Sequence, residues 1–124
     1  MAADVLVHLA GVPVLACAPD GPPLCGAADA ANVVAEVAGE HVEVVLLPVE
    51  RLAPEFFTLR SGVAAAVVQK FVNYHLRVAV VGDIAGQVAR SSSLRDFVEE
   101  SNRGRHLWFV ATPADLADRL RHDH

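Results

Sequence analysis

The side chains able to do chemistry are few, and most fall at the ends of apolar runs. Asp83 follows Val78-Ala79-Val80-Val81-Gly82, so its carboxylate should emerge where a buried strand stops. There it could act as a general base or accept a hydrogen bond from a ligand, or cap a turn through backbone N–H groups. Glu50 and Arg51 end another apolar run; an acid beside a base could polarise a substrate, or form a solvated ion pair. Arg60-Ser61-Gly62 sets a cation, a hydroxyl and free backbone N–H groups at a helix start. That combination binds an anion or presents a phosphorylated serine, and it also describes an ordinary N-cap. Ser91-Ser92-Ser93 opens a further helix, with Ser92 a candidate ligand contact. Arg103 and Arg105, in Asn102-Arg103-Gly104-Arg105, could form an anion-binding turn, although Asp96, Glu99 and Glu100 offer local partners.

Other chemistries lack a pattern. Gly82 to Gly86 has neither the glycine spacing nor the terminal Lys-Ser/Thr of a phosphate loop. His8, His41, His75 and His106 lie in different segments, and His122-Asp123-His124 is a tail able to hold nickel or zinc only weakly. No nucleophile elbow accompanies a Ser-His-Asp or Cys-His set. Cys17 and Cys25 have no CxxC spacing and are expected to be reduced. No metal or cofactor is expected, and Phe56, Phe57, Phe71, Tyr74 and Trp108 are read as packing residues rather than a base-stacking platform.

The elements that must position these residues follow from hydrophobic periodicity. Val5–Leu9 and Val12–Ala18 read as a hairpin or bent strand, followed by the turn Pro19-Asp20-Gly21-Pro22-Pro23. Ala30, Val33, Val34 and Val37 make a helical stripe within Ala27–Ala38. Val42–Leu47 has the almost unbroken apolar character of a strand covered on both faces. Pro48 to Thr58 connects it, with one helical turn at Pro54–Phe57, to a helix over Ser61–Tyr74 striped by Val63, Val67, Phe71 and Tyr74. Arg77–Val81 is the next strand. Leu94, Phe97 and Val98 mark a helix ended by Gly104, His106–Val110 is the last strand, and Thr112-Pro113 opens a final helix.

The order β-β-α-β-α-β-α-β-α predicts an α/β domain with a mixed, mostly parallel sheet. Ligands of such sheets favour the crevice at the strands' carboxyl ends. That rule selects Glu50 and Arg51, Gly82 and Asp83, Ala111 and Thr112, and the helix start at Ser61-Gly62.

Composition bounds the classes. The chain has 124 residues, 53% of them hydrophobic, and a net charge of −5. That length fits one domain, the apolar content excludes intrinsic disorder, and no apolar run reaches the roughly 18 residues of a membrane helix. The acidic balance argues against nucleic acid. The absence of early positive charge argues against a signal peptide and points to the cytoplasm. Nine of the ten positive residues are Arg, with Lys70 the exception, so a local pocket for a carboxylate or phosphate remains compatible with the acidic total.

Several stretches resemble the bacterial domain of unknown function 4180 family. They are Asp20-Gly21-Pro22-Pro23, Leu47-Pro48-Val49-Glu50-Arg51-Leu52, the run from Pro54 to Gly62, Gln69 to Tyr74, Val80-Val81-Gly82-Asp83 and Ser101-Asn102-Arg103-Gly104. The resemblance spans about residues 12 to 120 and implies no activity. A looser resemblance is to the STAS-like fold of anti-sigma-factor antagonists, which share an initial hairpin and a Ser-Gly at a helix start. In those regulators such a serine is phosphorylated by a partner kinase, which would correspond here to Ser61 in Ser61-Gly62-Val63. Arg60 stands where those motifs usually carry Asp or Ser, and Leu52–Leu59 is a longer connection.

The reading is a non-enzymatic regulatory or interaction domain that binds a protein partner around Ser61. The alternative is a small enzyme or small-molecule binder using Glu50, Arg60, Ser61 and Asp83, with Ser92 nearby. A third reading is a homodimer that buries part of the Phe56-Phe57 segment. An enzyme should bring Asp83 or Glu50 together with Arg60 on an enclosed cavity with perturbed ionisation.

Overall fold

A computed structural model describes residues 4–123. Five strands, β1 (Val5–Leu9), β2 (Val12–Ala16), β3 (Val44–Pro48), β4 (Arg77–Val81) and β5 (Leu107–Val110), form one mixed sheet in the order β1-β2-β3-β4-β5. β1 and β2 pair antiparallel through a two-residue turn with both φ angles positive, Ala10 at 51° and Gly11 at 78°. Such a turn matches the natural strand twist, so the hairpin reading holds. β2, β3, β4 and β5 pair parallel.

The helices are α1 (Ala27–Glu36), α2 (Val63–Asn73), α3 (Ala85–Arg90), α4 (Ser92–Arg103) and α5 (Pro113–His122). α1, α2 and α4 cover one sheet face, where Val33, Val67 and Phe71 meet Leu15, Val45, Val78 and Phe109. α5 covers the other through Leu116 and Leu120 against Val44, Leu46, Ala79 and Trp108. Every residue of β3 is buried, which explains why its sequence shows no alternation.

The expected order lacked α3. Gly86 and the absence of an apolar stripe conceal this six-residue helix, which rests directly on the start of α4. One aromatic expectation also needs correction. Tyr74 is 54% exposed, because α2 ends just before it, and the Lys70 ammonium lies 5.7 Å from its ring centre. Phe56 is fully buried in the core, as its reading as a packing residue expects, with the half-buried Phe57 edge-on at 5.4 Å.

The end of α2 assigns His75 a backbone role. Its N–H bonds Val72 O at 2.9 Å, and Leu76 N–H bonds Phe71 O at 3.0 Å. That is the paired bonding of a Schellman cap, and His75 occupies its left-handed position at φ 60°, where glycine is usual.

Arg51 organises the loops below the sheet's carboxyl edge. It is 3% exposed, and its guanidinium bonds Pro22 O at 2.7 Å, Ala18 O at 3.0 Å and the Asp4 carboxylate at 2.9 Å. Next to it, Leu24 N–H bonds Arg51 O and Ala53 N–H bonds Leu24 O. The Asp20–Pro23 turn and the segment after β3 are therefore locked together. A Cβ on Gly21 would fall 2.4 Å from an Arg51 nitrogen, so the turn glycine is required by the arginine packed on it.

Candidate functional site

Three short 3-10 turns, Val49–Arg51, Pro54–Phe57 and Leu59–Ser61, carry the chain from β3 to α2. Pro54 starts the second turn in its favoured first position. Gly62, at φ 79°, then redirects the chain into α2. Ser61 lies exposed at this junction. Its hydroxyl donates to Glu55 O at 2.6 Å and accepts from Val63 N–H at 3.2 Å, so it stabilises the turn while remaining in solvent.

The segment after β3 and the α3–α4 connection face each other across a groove of about 800 Å³ at the carboxyl ends of β3 and β4. One wall is Val49, Leu52, Pro54, Phe57, Thr58, Leu59 and Arg60; the other is Gln87, Arg90, Ser91 and Ser93. The apolar side chains among them continue the core outward, and the polar ones line the rim. Ser91 caps α4, accepting from Leu94 N–H at 3.1 Å. Among the described residues, neither Arg60 nor Arg90 makes an ion pair, and the lining contains no Asp, Glu, His or Lys.

The sequence candidates therefore divide. Arg60 lies on the groove and Ser61 next to it, with Gly62 fixing the turn between them and α2; Ser92 is exposed between two lining serines. Asp83 is exposed and accepts from Ala85 N–H at 2.9 Å, the turn-capping role. Glu50 lines a different cleft of about 440 Å³ against the α5 side, with Leu46, Pro48, Gly82 and Pro113. The candidate acids and Arg60 do not line one cavity.

Arg103 and Arg105 lie at the opposite end of the sheet, before β5, where Arg103 pairs with Glu100 at 3.2 Å and Arg105 with Asp123 at 3.4 Å. Arg77 also pairs with Asp123. Burial raises the Asp123 carboxyl, but these two guanidinium groups outweigh it and hold the group below the usual carboxylate range. His122 lies at an Asp118 carbonyl, 2.8 Å away, while His124 falls outside the described residues. Arg51 likewise departs from its reading as half of a solvated pair with Glu50: its partner is Asp4, and the pair is buried. Among the described residues no cluster of three or more His, Cys, Asp or Glu side chains is arranged to hold a metal.

Sequence reasoning missed Arg90, Gln87 and Thr58. Arg90 belongs to the unforeseen helix α3, and nothing in its local pattern distinguishes it from a solvated arginine. A second missed cluster joins Asp4, Glu36, Cys17 and Arg51. Burial works against the Asp4 charge, but bonds from Ala18 N–H and Glu36 and the Arg51 charge hold its carboxyl low. Although Glu36 is exposed as a residue, desolvation of its carboxyl and the neighbouring Asp4 push it up to about 7. The two carboxyls are thus driven in opposite directions, Asp4 down and Glu36 up. Burial pushes the Cys17 thiol up to about 12, so it is a packing group and no nucleophile.

The stretches that carry the family resemblance have structural roles here. Asp20–Pro23 and Leu47–Leu52 meet through Arg51, and Asn102 accepts from Phe109 N–H at 2.7 Å to tie α4 to β5. Pro54–Gly62 contributes most of one groove wall, and Val49 and Leu52 of the Leu47–Leu52 stretch complete it. Neither the search of curated proteins nor that of solved structures returned a match. The family described as a domain of unknown function (DUF4180) matches residues 9–120, nearly the whole length, and the chain belongs to that family.

Proposed function

We propose that this DUF4180 domain is a cytoplasmic, STAS-like regulatory module that binds a protein partner across Ser61, the start of α2 and the adjoining groove, without catalysing a reaction. The observation that carries this reading is the groove's lining, which has two arginines and several hydroxyls but no carboxylate or imidazole to move a proton. General acid–base chemistry needs such a group within reach of substrate. Asp83 is engaged in a turn and Glu50 lines another cleft. The exposed Ser61 hydroxyl, next to Arg60 and at the start of an eleven-residue helix, supports a surface whose charge a kinase could change. The two free cysteines fit a reducing compartment.

The experiment is co-purification from the native host with wild type, Ser61→Ala and Ser61→Asp. The reading expects a specific partner whose retention changes at least fivefold between the two variants. Equal retention by all three removes the switch.

A second reading, a small-molecule site in the same groove, is favoured by its volume, which falls in the range of ligand clefts. If that site were an enzyme using Asp83 as base, Asp83→Asn would abolish turnover without unfolding the chain. The binding reading expects Asp83→Asn to leave ligand and partner affinity unchanged.

A further inference from the structure

We infer that the groove between the Pro54–Arg60 segment and the α3–α4 connection is a site for a small organic anion: a phosphate or carboxylate head on an apolar or aromatic body. The inference rests on the reading of this sheet edge as a binding face. Its head-group end is defined by Arg60 and Arg90, two guanidinium groups 30 residues apart in sequence that line one groove. Elsewhere Arg51, Arg77, Arg103, Arg105 and Arg121 each have a carboxylate partner, and Arg119 lies 4.3 Å from the Trp108 ring centre. Arg60, Arg90 and the exposed Arg95 of α4 have no such partner among the described residues, and of these three Arg60 and Arg90 line the groove. In a chain of net charge −5, two arginines facing one cavity with no acid in its lining form a local positive field. Planar guanidinium groups match the paired oxygens of carboxylate and phosphate.

The hydroxyls of Thr58, Ser91 and Ser93 line the same groove. The Ser91 oxygen already accepts from Leu94 N–H, which leaves its O–H free to donate to an anion. The body of the ligand is set by the other lining: Val49, Leu52, Phe57 and Leu59 present apolar surface. Inorganic phosphate would satisfy only the rim. An anion carrying a ring or short aliphatic chain would also cover the floor and gain from its burial.

The test is a calorimetric titration of the full chain at constant ionic strength with inorganic phosphate, phenyl phosphate and benzoate, and with a phosphoserine peptide as competitor. Saturable 1:1 binding is expected, with phenyl phosphate at least fivefold tighter than inorganic phosphate. Arg60→Gln and Arg90→Gln should each weaken it at least fivefold, while Arg103→Gln, whose arginine pairs with Glu100 at the far end of the sheet, should match wild type. Both groove arginines are exposed, and circular dichroism verifies that each variant is folded. Displacement of phenyl phosphate by the peptide at lower concentration than by inorganic phosphate would assign the head-group pocket to a partner segment and overturn the small-ligand inference. Non-saturable binding, or equal weakening by Arg103→Gln, overturns it as well. A Ser61-dependent partner with no binding of these anions would leave the proposed function standing and remove this site alone.

Discussion

Arg51→Met tests the claim that a buried ion pair, rather than a surface one, holds the loops that form one wall of the groove. In the native chain the two side chains of the Arg51–Asp4 pair are only 4% and 8% exposed. Methionine replaces the stem but leaves the Asp4 charge without its cation and the Pro22 carbonyl without the guanidinium donor, while Ala18 O keeps only the Gly21 N–H. Removing one partner of a buried pair costs about 3–5 kcal/mol, which already includes much of the lost hydrogen bonding. At this chain length each kcal/mol lowers Tm by about 3–5 °C, so a fall of about 10–20 °C is expected. Urea unfolding followed by circular dichroism should show a lower midpoint at unchanged slope. Asp4→Asn supplies the second arm, and the double variant should lose at least about 1 kcal/mol less than the sum of the singles. A loss below about 1 kcal/mol for Arg51→Met, or strict additivity, would reduce the pair to a surface contact.

Other perturbations follow from single contacts. Gly82→Ala should cost about 1–3 kcal/mol in urea unfolding, because φ is 143° and the new Cβ would meet Val49 Cγ2 at 2.7 Å. His75→Gly should raise stability by about 0.5–1 kcal/mol by removing a side chain from a left-handed position; an unchanged or lower Tm would contradict the cap assignment. Glu36 has a folded pKa of about 7 against an ordinary 4.5, so the folded state holds a proton that the unfolded chain has released. Stability should therefore fall as pH rises from about 4.5 through 7, by less than the shift alone implies because the residue is exposed, and Glu36→Gln should flatten that slope. Asp4 acts in the opposite sense: its depressed pKa contributes stability above pH 4 that is lost on further acidification.

Much of the architecture was legible because burial imposes simple patterns. The almost unbroken run Val42–Leu47 announced a strand covered on both faces, which the structure places at Val44–Pro48, and Thr112-Pro113 announced the start of α5, where Thr112 does accept from Asp115 N–H at 3.1 Å. Helix α3 was illegible because six residues with a glycine and no buried side chain carry no periodic signal. The site divided along the same line. Arg60 and Ser61 could be placed from the turn preceding α2, since proline and glycine mark local conformation. Arg90 could not, because its meaning comes from a segment 30 residues away. Arg51 was misread since adjacency to Glu50 is visible in sequence, whereas the partnership with Asp4, 47 positions away, exists only in the fold. Family-matching stretches were informative about assembly: Gly21 and Arg51 belong to different stretches and meet in one contact.

The proposed anion site lies in the Arg60–Arg90 groove and not in the second cleft at the same sheet edge. Amide NMR of the labelled chain titrated with phenyl phosphate measures this directly. Saturating shifts are expected at residues 57–61 and 87–93, with Glu50, Gly82 and Ala111 unmoved. Shifts centred on Glu50, Gly82 and Ala111, with Arg60 and Arg90 silent, would contradict it.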